Sequence, residues 1–527
     1  MRAFGELLDR LAYSPSRNTK LRLMQEYFRR TPDPDRGWAL AALTDGLPFS
    51  FPVRRTILEL MHQRLDAELF RLSRDYVGDT AETVALAWPE PPEQGEPPRL
   101  GEVIARLQLI DRNKLGSALE GWLDNLDATG RWALLKLVTG ALRVGVSARL
   151  AKTAVAEMSG KRVDEIEEVW HGLSPPYASL FAWLDGKAER PDPAGVPVFR
   201  PLMLSHPLED DEFRLLDIAE FAAEWKWDGI RVQIAAAQGE ARLYSRTGDD
   251  IGGSFPDLLS GFRFEAVLDG ELLVMRNGEV APFNDLQQRL NRKTVSKGML
   301  DQYPAHVRLY DALVIAGEDL REKPFSERRA RLESWHKQVR PAGTDVSELI
   351  EIASKEDLIQ LWRNARGSGV EGLMLKRRAS PYIAGRPKGH WFKWKRAPLT
   401  LDCVLMYAQR GSGKRSSYYS DYTFGAWAER ADGTAELVPV GKAYSGYTDA
   451  ELLELDRWIR NNTVERFGPV RAVSPKLVLE IAFDAVQHSN RHKSGVAMRF
   501  PRIHRIRWDK PAAEADRLAT LVGMMEA

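Results

Sequence analysis

Cysteine is almost absent: Cys403 stands alone among 527 residues. That excludes an intramolecular disulfide and a multi-cysteine zinc site, and fits a reducing compartment. Long apolar runs are missing too. No uninterrupted stretch approaches the roughly 20 residues of a membrane span. The amino terminus, Met1-Arg2-Ala3-Phe4-Gly5-Glu6, meets charge at once and lacks the apolar core of a secretory signal. A cytoplasmic protein with no membrane partner is expected. Nor is there an excess of charge of either sign: 75 Lys and Arg face 74 Asp and Glu, a formal +1. A polyanion would have to be gripped by local basic surfaces and not by the global charge. Internal repeats are not evident. What is present is ordinary globular composition, 44% hydrophobic and 28% charged, in a length suited to about two to four domains.

Residues 2 to 174 carry helical period, with Phe4, Leu7, Leu8, Leu11, then Leu21, Met24, Tyr27, Phe28, then Ile57, Leu60, Met61, Leu65, Leu69, and later Val103, Ile104, Leu107, Leu109 and Leu134, Leu135, Val138, Leu142. Five prolines, Pro89, Pro91, Pro92, Pro97 and Pro98, interrupt the pattern with an exposed loop. Gly140, Arg143, Gly145, Ser147, Arg149 and Lys152 follow a helix closely, a composition that suits backbone and guanidinium contacts to phosphates or simply a solvated helix-helix turn. The stretch 191–197 reads as a linker. Beyond it, expected strands at 241–245, 266–275, 307–315 and 372–376 mix with expected helices at 282–290 and 326–339. From 400 the chain is strand-rich, at 401–407, 422–428, 435–440 and 477–483, with a hairpin turn at 431–433 and a capping box at Thr448 and Glu451. A small five-stranded oligonucleotide-binding barrel would fit. The fold class is therefore multidomain α+β: an all-α domain over 1–195, an α/β domain over 200–398 and an OB-fold barrel over 399–527.

The chemistry centres on Glu224-Trp225-Lys226-Trp227-Asp228-Gly229-Ile230-Arg231. A lysine between strand-like segments is held by rigid elements, and burial or nearby cations would lower its pKa from about 10.4, favouring the neutral, nucleophilic amine. Its bland alternative is a strand end with a surface lysine. Arg246 follows a strand, where its guanidinium could hold a phosphate or ribose hydroxyl. Leu268-Asp269-Gly270-Glu271-Leu272 sets Glu271 inside an apolar strand, where an unpaired carboxylate is costly, so it needs a hydroxyl, a metal ion or an arginine. Tyr310, in Leu309-Tyr310-Asp311, could stack on a purine or pack in the core. Glu371 and Lys376 are five apart, on opposite faces of an ideal strand, so a twist or bulge is required if both reach one pocket. From Lys376 to Arg396 eight Lys and Arg occur without an acid, interleaved with Tyr382, Trp391, Phe392 and Trp394. Lys393 and Lys395 share one strand face and could meet a polyphosphate, with Trp394 turned to the core. Near the carboxyl end Arg505, Arg507 and Asp509 alternate with Ile506 and Trp508. Gly411-Ser412-Gly413-Lys414 lacks the spacing of a phosphate-binding P-loop and reads as a basic loop.

In order, these stretches resemble the nucleotidyltransferase motifs of ATP-dependent DNA ligases over about residues 205 to 510, and 1–190 resemble the helical DNA-binding domain of larger members. Ala141-Leu142-Arg143-Val144-Gly145-Val146-Ser147 is similar to a segment found there. The whole is most similar to the bacterial branch accompanied by a ligase-associated helicase and exonuclease. The resemblance implies that Lys226 accepts the adenylyl group of ATP, with Glu224, Arg231, Arg246 and Glu271 around the nucleotide and Tyr310 stacked on adenine. It implies Glu271 and Glu371 as ligands of Mg2+, with Mn2+ as a substitute, and Lys393 and Lys395 beside the α-phosphate. Arg505, Arg507 and Lys510 would come from the barrel domain. Where many relatives carry arginine then glycine, this chain reads Arg386-Pro387-Lys388-Gly389, and the contact is carried to Arg386.

The implied partner is nicked duplex DNA, the implied state a monomer at the nucleoid, and the implied activity nick sealing in DNA repair. An NAD-dependent ligase would share Lys-x-Asp-Gly but needs a four-cysteine zinc module. An RNA ligase or capping guanylyltransferase would share the core but not the large helical domain, and a non-catalytic DNA-binding scaffold would have lost motif residues.

Overall fold

A computed structural model of the chain describes residues 1–47, 53–91, 95–140, 142–193, 195–290, 292, 294–364, 369–395, 398–411, 418–430, 433–489 and 492–525. The basic loop at 412–414, the first two residues of the turn at 431–433 and part of the proline-rich run fall outside these. The chain divides into two compact units, one of Met1–Ser159, Pro175–Leu184 and Pro398–Ala527, the other of Gly160–Ser174 and Asp185–Ala397. No helix among the described residues is long and apolar enough to cross a membrane.

In the first unit the helical period does what it predicts. Phe4, Leu7, Leu8 and Leu11 are all buried on helix Arg2–Tyr13, which packs on Ala128–Thr139. Gly5 permits that approach, since a Cβ there would lie 3.1 Å from the Thr129 carbonyl oxygen. Leu21, Met24, Tyr27 and Phe28 are buried likewise on Arg17–Arg30, against Ala148–Met158. Two apolar assignments need correcting. The helix Val53–His62 ends before Leu65, and Asp66 starts a new one, Ala67–Val77, by accepting from the Glu68 and Leu69 amides. The reset turns Leu69 outward and buries Phe70 instead. Leu109, last residue of Leu100–Leu109, is 88% exposed.

The β-rich part of this unit is organised by the long strand Leu399–Arg410. It pairs with Tyr419–Glu429 along one edge, and along the other with Val470–Val473 and then Val478–Phe483, which in turn pairs with Arg502–Arg507. The expected capping box is present: the Glu451 amide donates to Thr448 Oγ1 at 3.2 Å, opening helix Asp449–Asn462. Cys403 is buried with Leu405, Phe424, Ile459 and Ile481 in the core of this region. The final strand ends at Arg507, so Trp508 does not alternate into the core but is half exposed.

The second unit contains, among the described residues, a five-stranded and a seven-stranded sheet. The first runs His206–Pro207, Trp391–Lys395, Val370–Arg377, Phe221–Trp227, Leu349–Ile350. The second has Glu240–Ser245, Ile230–Ala237, Ala266–Arg276 and Ala305–Ile315 as successive neighbours. Outside the first sheet, Phe221, Ala223, Leu373 and Phe392 pack with Leu358, Trp362 and Phe213. Between the sheets lie Ala222, Ala235, Val267, Phe325, Tyr382 and Trp391. Trp394 is turned to the outer layer as expected, stacked between Phe213 at 4.6 Å and Trp362 at 4.9 Å. The helix expected at 282–290 shrinks to Phe283–Gln287, because buried Arg289 leaves the helix line to donate to Ser254 O, Tyr303 O and Asp257.

Candidate nucleotidyltransferase site

Strand alternation decides what Lys226 faces. With Phe221, Ala223 and Trp225 committed to the outer layer, Ala222, Glu224 and Lys226 point into the space between the sheets. The chain then crosses from one sheet to the other through Asp228-Gly229. A Cβ at Gly229 would lie 2.4 Å from Leu272 O and 2.8 Å from Glu271 Cγ, so only glycine fits this crossing. Arg231, two residues on, is paired opposite Glu271.

The bulge required for Glu371 is present. Val370 pairs with Trp227 and Gly372 with Lys226, leaving Glu371 as the extra residue. Gly372 adopts φ +148°, and a Cβ there would meet Trp394 O at 2.2 Å. Glu371 is thereby swung onto the face of the lysines: Lys226 Nζ donates to its Oε2 at 2.6 Å and Lys395 Nζ lies 3.1 Å from the same oxygen. Lys226, Gly372 and Lys395 share one row, and Glu224, Met374 and Lys393 the next.

Electrostatics separate the two proposed metal carboxylates. Burial works against ionised Glu371, but Lys226 and Lys395 outweigh it and hold its pKa well below the usual range. For Glu271 burial wins over Lys226 and Arg231, raising the pKa to about 8. Among the described residues Glu271 takes no hydrogen bond or ion pair, and it feels the charge of Glu371. Two neighbouring carboxylates, one of them unpartnered, are a donor set suited to a hard divalent cation that retains water and shares phosphate oxygens. Lys393 has a lowered pKa through burial and then the positive charges of Arg386, Lys395, Arg246 and Lys226. Five cations expected at the nucleotide from separate stretches therefore share one field. Arg246 itself is exposed.

Behind them lies a layer of buried ion pairs. Arg231 is bidentate to Asp269, at 3.0 and 2.6 Å, and donates to Met203 O and Tyr382 Oη, while Tyr382 Oη donates to Asp269 at 2.7 Å. Arg231 is thus committed to partners within the protein. Glu224 is 2% exposed, accepting from Arg329 Nη1 at 2.7 Å on one oxygen, with Lys376 Nζ at 2.5 Å on the other. Lys376 Nζ lies 4.2 Å from the Tyr310 ring centroid. Asp269 and Tyr382 stand in the stretches singled out by sequence; Arg329 gave no signal, since its partner lies 105 positions away.

Arg505, Arg507 and Lys510 belong to the first unit. Arg507 donates to Asp509 at 3.0 and 2.9 Å and Lys510 to Asp402 at 2.7 Å, while Arg505 is exposed. In the same unit, buried Lys20 donates to Val144 O at 2.7 Å and Gly145 O at 2.8 Å, pinning the loop that displays exposed Arg143 at φ +47°.

A lysine bedded between two sheets, opposite a carboxylate and under converging cations, is the arrangement of a covalent nucleotidyltransferase. Residues 202–395 match the family described as ATP dependent DNA ligase domain, and 415–510 match ATP dependent DNA ligase C terminal region. A probable DNA ligase of Koribacter versatilis is 36% identical over 411 residues, covering 73% of this chain and 70% of the relative. DNA ligase 1 of Korarchaeum cryptofilum is 30% identical over 536 residues, 98% of this chain and 96% of the relative. The structure described as Pmar-Lig_PreS3 shares the fold, with TM-score 0.59 at 17% identity, over 96% of this chain and 99% of that one. The chain belongs to the ATP-dependent DNA ligases. It is an ATP-using, DNA-binding ligase with a helical amino-terminal region, an adenylation domain and a β-rich carboxyl-terminal region.

Proposed function

We propose that this ligase seals 3′-hydroxyl/5′-phosphate nicks in duplex DNA, for repair, through a lysyl-AMP on Lys226 and then an adenylylated DNA end. Lys226 attacks the α-phosphate of ATP and pyrophosphate leaves. AMP passes to the 5′-phosphate, and the 3′-hydroxyl displaces it. Each step is a matter of positioning and charge neutralisation. The observation that carries this reading is Lys226 Nζ, 2.6 Å from Glu371 in the shared field of Lys393, Lys395, Arg246 and Arg386.

Within it, Lys393 and Lys395 meet the α-phosphate, Glu271 and Glu371 hold Mg2+, and Glu224 and Tyr310, which share Lys376, form the base side. Mg2+ supplies charge neutralisation at the phosphates. Arg505, Arg507 and Lys510 are assigned to the departing pyrophosphate. We read the β-rich region, 399–527, as an OB fold, with the helical domain over 1–195 gripping DNA phosphates and the adenylation domain over 200–398.

Incubation with α-labelled ATP and Mg2+, a denaturing gel and a chase with nicked DNA tests the scheme. Wild type should carry label and release it to DNA. Lys226→Ala and Lys226→Arg should both stay unlabelled, the second because arginine remains protonated at any usable pH. Labelling of either variant refutes the assignment.

A further inference from the structure

Trp227 follows Lys226 at the end of its strand, two residues beyond the outer-layer Trp225. Its ring is turned to the second sheet, where Arg308 Cζ lies 4.1 Å from the ring centroid. The indole Nε1 is buried without a hydrogen-bond partner among the described residues, so stacking and not a hydrogen bond orients the ring. Arg308 is itself locked. Its Nε donates to Asp345 Oδ1 at 2.9 Å and its Nη2 to Oδ2 at 2.6 Å, and the side chain is only 13% exposed. His306 Nε2 lies 3.2 Å from the same Oδ1. Burial opposes the charge on Asp345, but His306 and Arg308 outweigh it and bring its pKa down to about 2. A bidentate guanidinium has a fixed plane, and an indole face is the strongest ring partner for it.

Val307 and Leu309 belong to the core outside the second sheet, so Arg308 and Tyr310 face the nucleotide side. Arg308 also pairs directly opposite Glu271. On the first sheet, Trp227 pairs with Val370 and Lys226 with Gly372, so both residues flank the bulge that carries Glu371. The stack of Arg308 on Trp227 therefore ties the two sheets together where the nucleophile leaves its strand. An amine attacks in line only from about 3–3.5 Å, and a lysine side chain inherits any error in the strand end that carries it.

We propose that Arg308 is a positioning residue for the covalent step: anchored on Asp345, its guanidinium holds the Trp227 ring and through it fixes Lys226 for attack on the α-phosphate. The inference rests on Lys226 being the nucleophile, as proposed above.

The test is single-turnover self-adenylylation of the full-length protein with α-labelled ATP and Mg2+, well below the melting temperature, read as the maximal rate and the half-saturating ATP concentration. Arg308→Met keeps the length of the side chain and removes the anchored cation. The maximal rate should fall by about tenfold or more while half-saturation stays within about twofold, since Arg308 aims the amine and does not hold ATP. Trp227→Leu should fall comparably, and the double variant should be no slower than the slower single one. Arg308→Lys keeps a cation over the indole and should be at least about threefold faster than Arg308→Met. An unchanged maximal rate in Arg308→Met overturns the proposal, as does a loss confined to half-saturation, which would make Arg308 an ATP-binding residue. Multiplying losses in the double variant, or an Arg308→Lys as slow as Arg308→Met, overturn it too. If Arg308→Met does not fold, Trp227→Phe, which keeps a ring face, should be about fivefold faster than Trp227→Leu, and equal rates are equally fatal. Lys226→Ala run beside these variants separates the two readings. If it still takes label, the proposed function falls and the inference with it; if it is unlabelled and Arg308→Met keeps the wild-type rate, only the inference falls.

Discussion

Glu271 is where single-residue energetics and chemistry pull in opposite directions. Its pKa rises from the ordinary 4.5 to about 8 because burial penalises the carboxylate more than Lys226 and Arg231 reward it. Between those two values the unfolded chain has released this proton while the folded chain keeps it, so its ionisation lowers stability as pH rises from about 4.5 to about 8 and levels off above. Glu271→Gln removes the titration. Its melting temperature should match wild type near pH 4 and exceed it increasingly toward pH 8, while self-adenylylation falls by about tenfold or more for want of the carboxylate. A variant whose thermal advantage does not grow with pH would show that Glu271 ionises freely in the fold. The opposite shift at Glu371, downward under Lys226 and Lys395, leaves the two carboxylates with distinct proton states before nucleotide arrives.

At the scale of an element, the bulge at Glu371 is the device on which the site turns. Without the extra residue, Glu371 would point to the outer layer with Leu373 and Leu375. Gly372 makes the bulge possible, and Gly372→Ala forces its methyl toward Trp394 O at a φ that L residues rarely adopt. Overpacking and backbone strain together should destabilise the protein by about 1–3 kcal/mol. Because Gly372 directly follows Glu371 and its Cβ would press on the backbone beside Lys395, relaxation on either side disturbs the Glu371–lysine contacts, and lysine labelling should fall more than in a surface variant of equal melting temperature. Thermal denaturation beside gel-based labelling checks both; an alanine variant with full labelling would mean that the bulge is not needed to aim Glu371.

At the scale of the whole molecule, Arg507 and Lys510 near the carboxyl end are each paired with acids of their own unit. Arg507 pairs with Asp509 and lies 3.4 Å from Asp402, which also accepts from Lys510. If they serve only the departure of pyrophosphate, replacing Arg507 and Lys510 with alanine should slow self-adenylylation by about a hundredfold or more, as loss of transition-state donors does. Sealing of a nick supplied already adenylylated should be largely spared. The double variant also orphans Asp402, so adding Asp402→Asn should recover any lost stability without recovering the first step. Equal loss of both activities in the stabilised variant would assign these residues to DNA binding or to a shared catalytic task.

The sequence by itself determined the class of each region, the order of the motifs and the absence of any disulfide. Periodicity and turn chemistry are local, and the burial of Phe4, Leu7, Leu8 and Leu11, the Thr448 cap and the inward turn of Trp394 followed from them. Patterning was weakest where a helix ended, as at Leu69 and Leu109, because a cap resets the phase that a run of apolar residues implies. Tertiary structure alone decided which carboxylate meets which cation. Glu371 and Lys226 are 145 positions apart and Arg329 and Glu224 are 105 apart. Their meeting depends on strand register, and a register shift of one residue sends every side chain to the opposite face. A local pattern can require a bulge without saying where the extra residue falls. Only the paired strands place it at Glu371, and only that placement turns a row of lysines into a site.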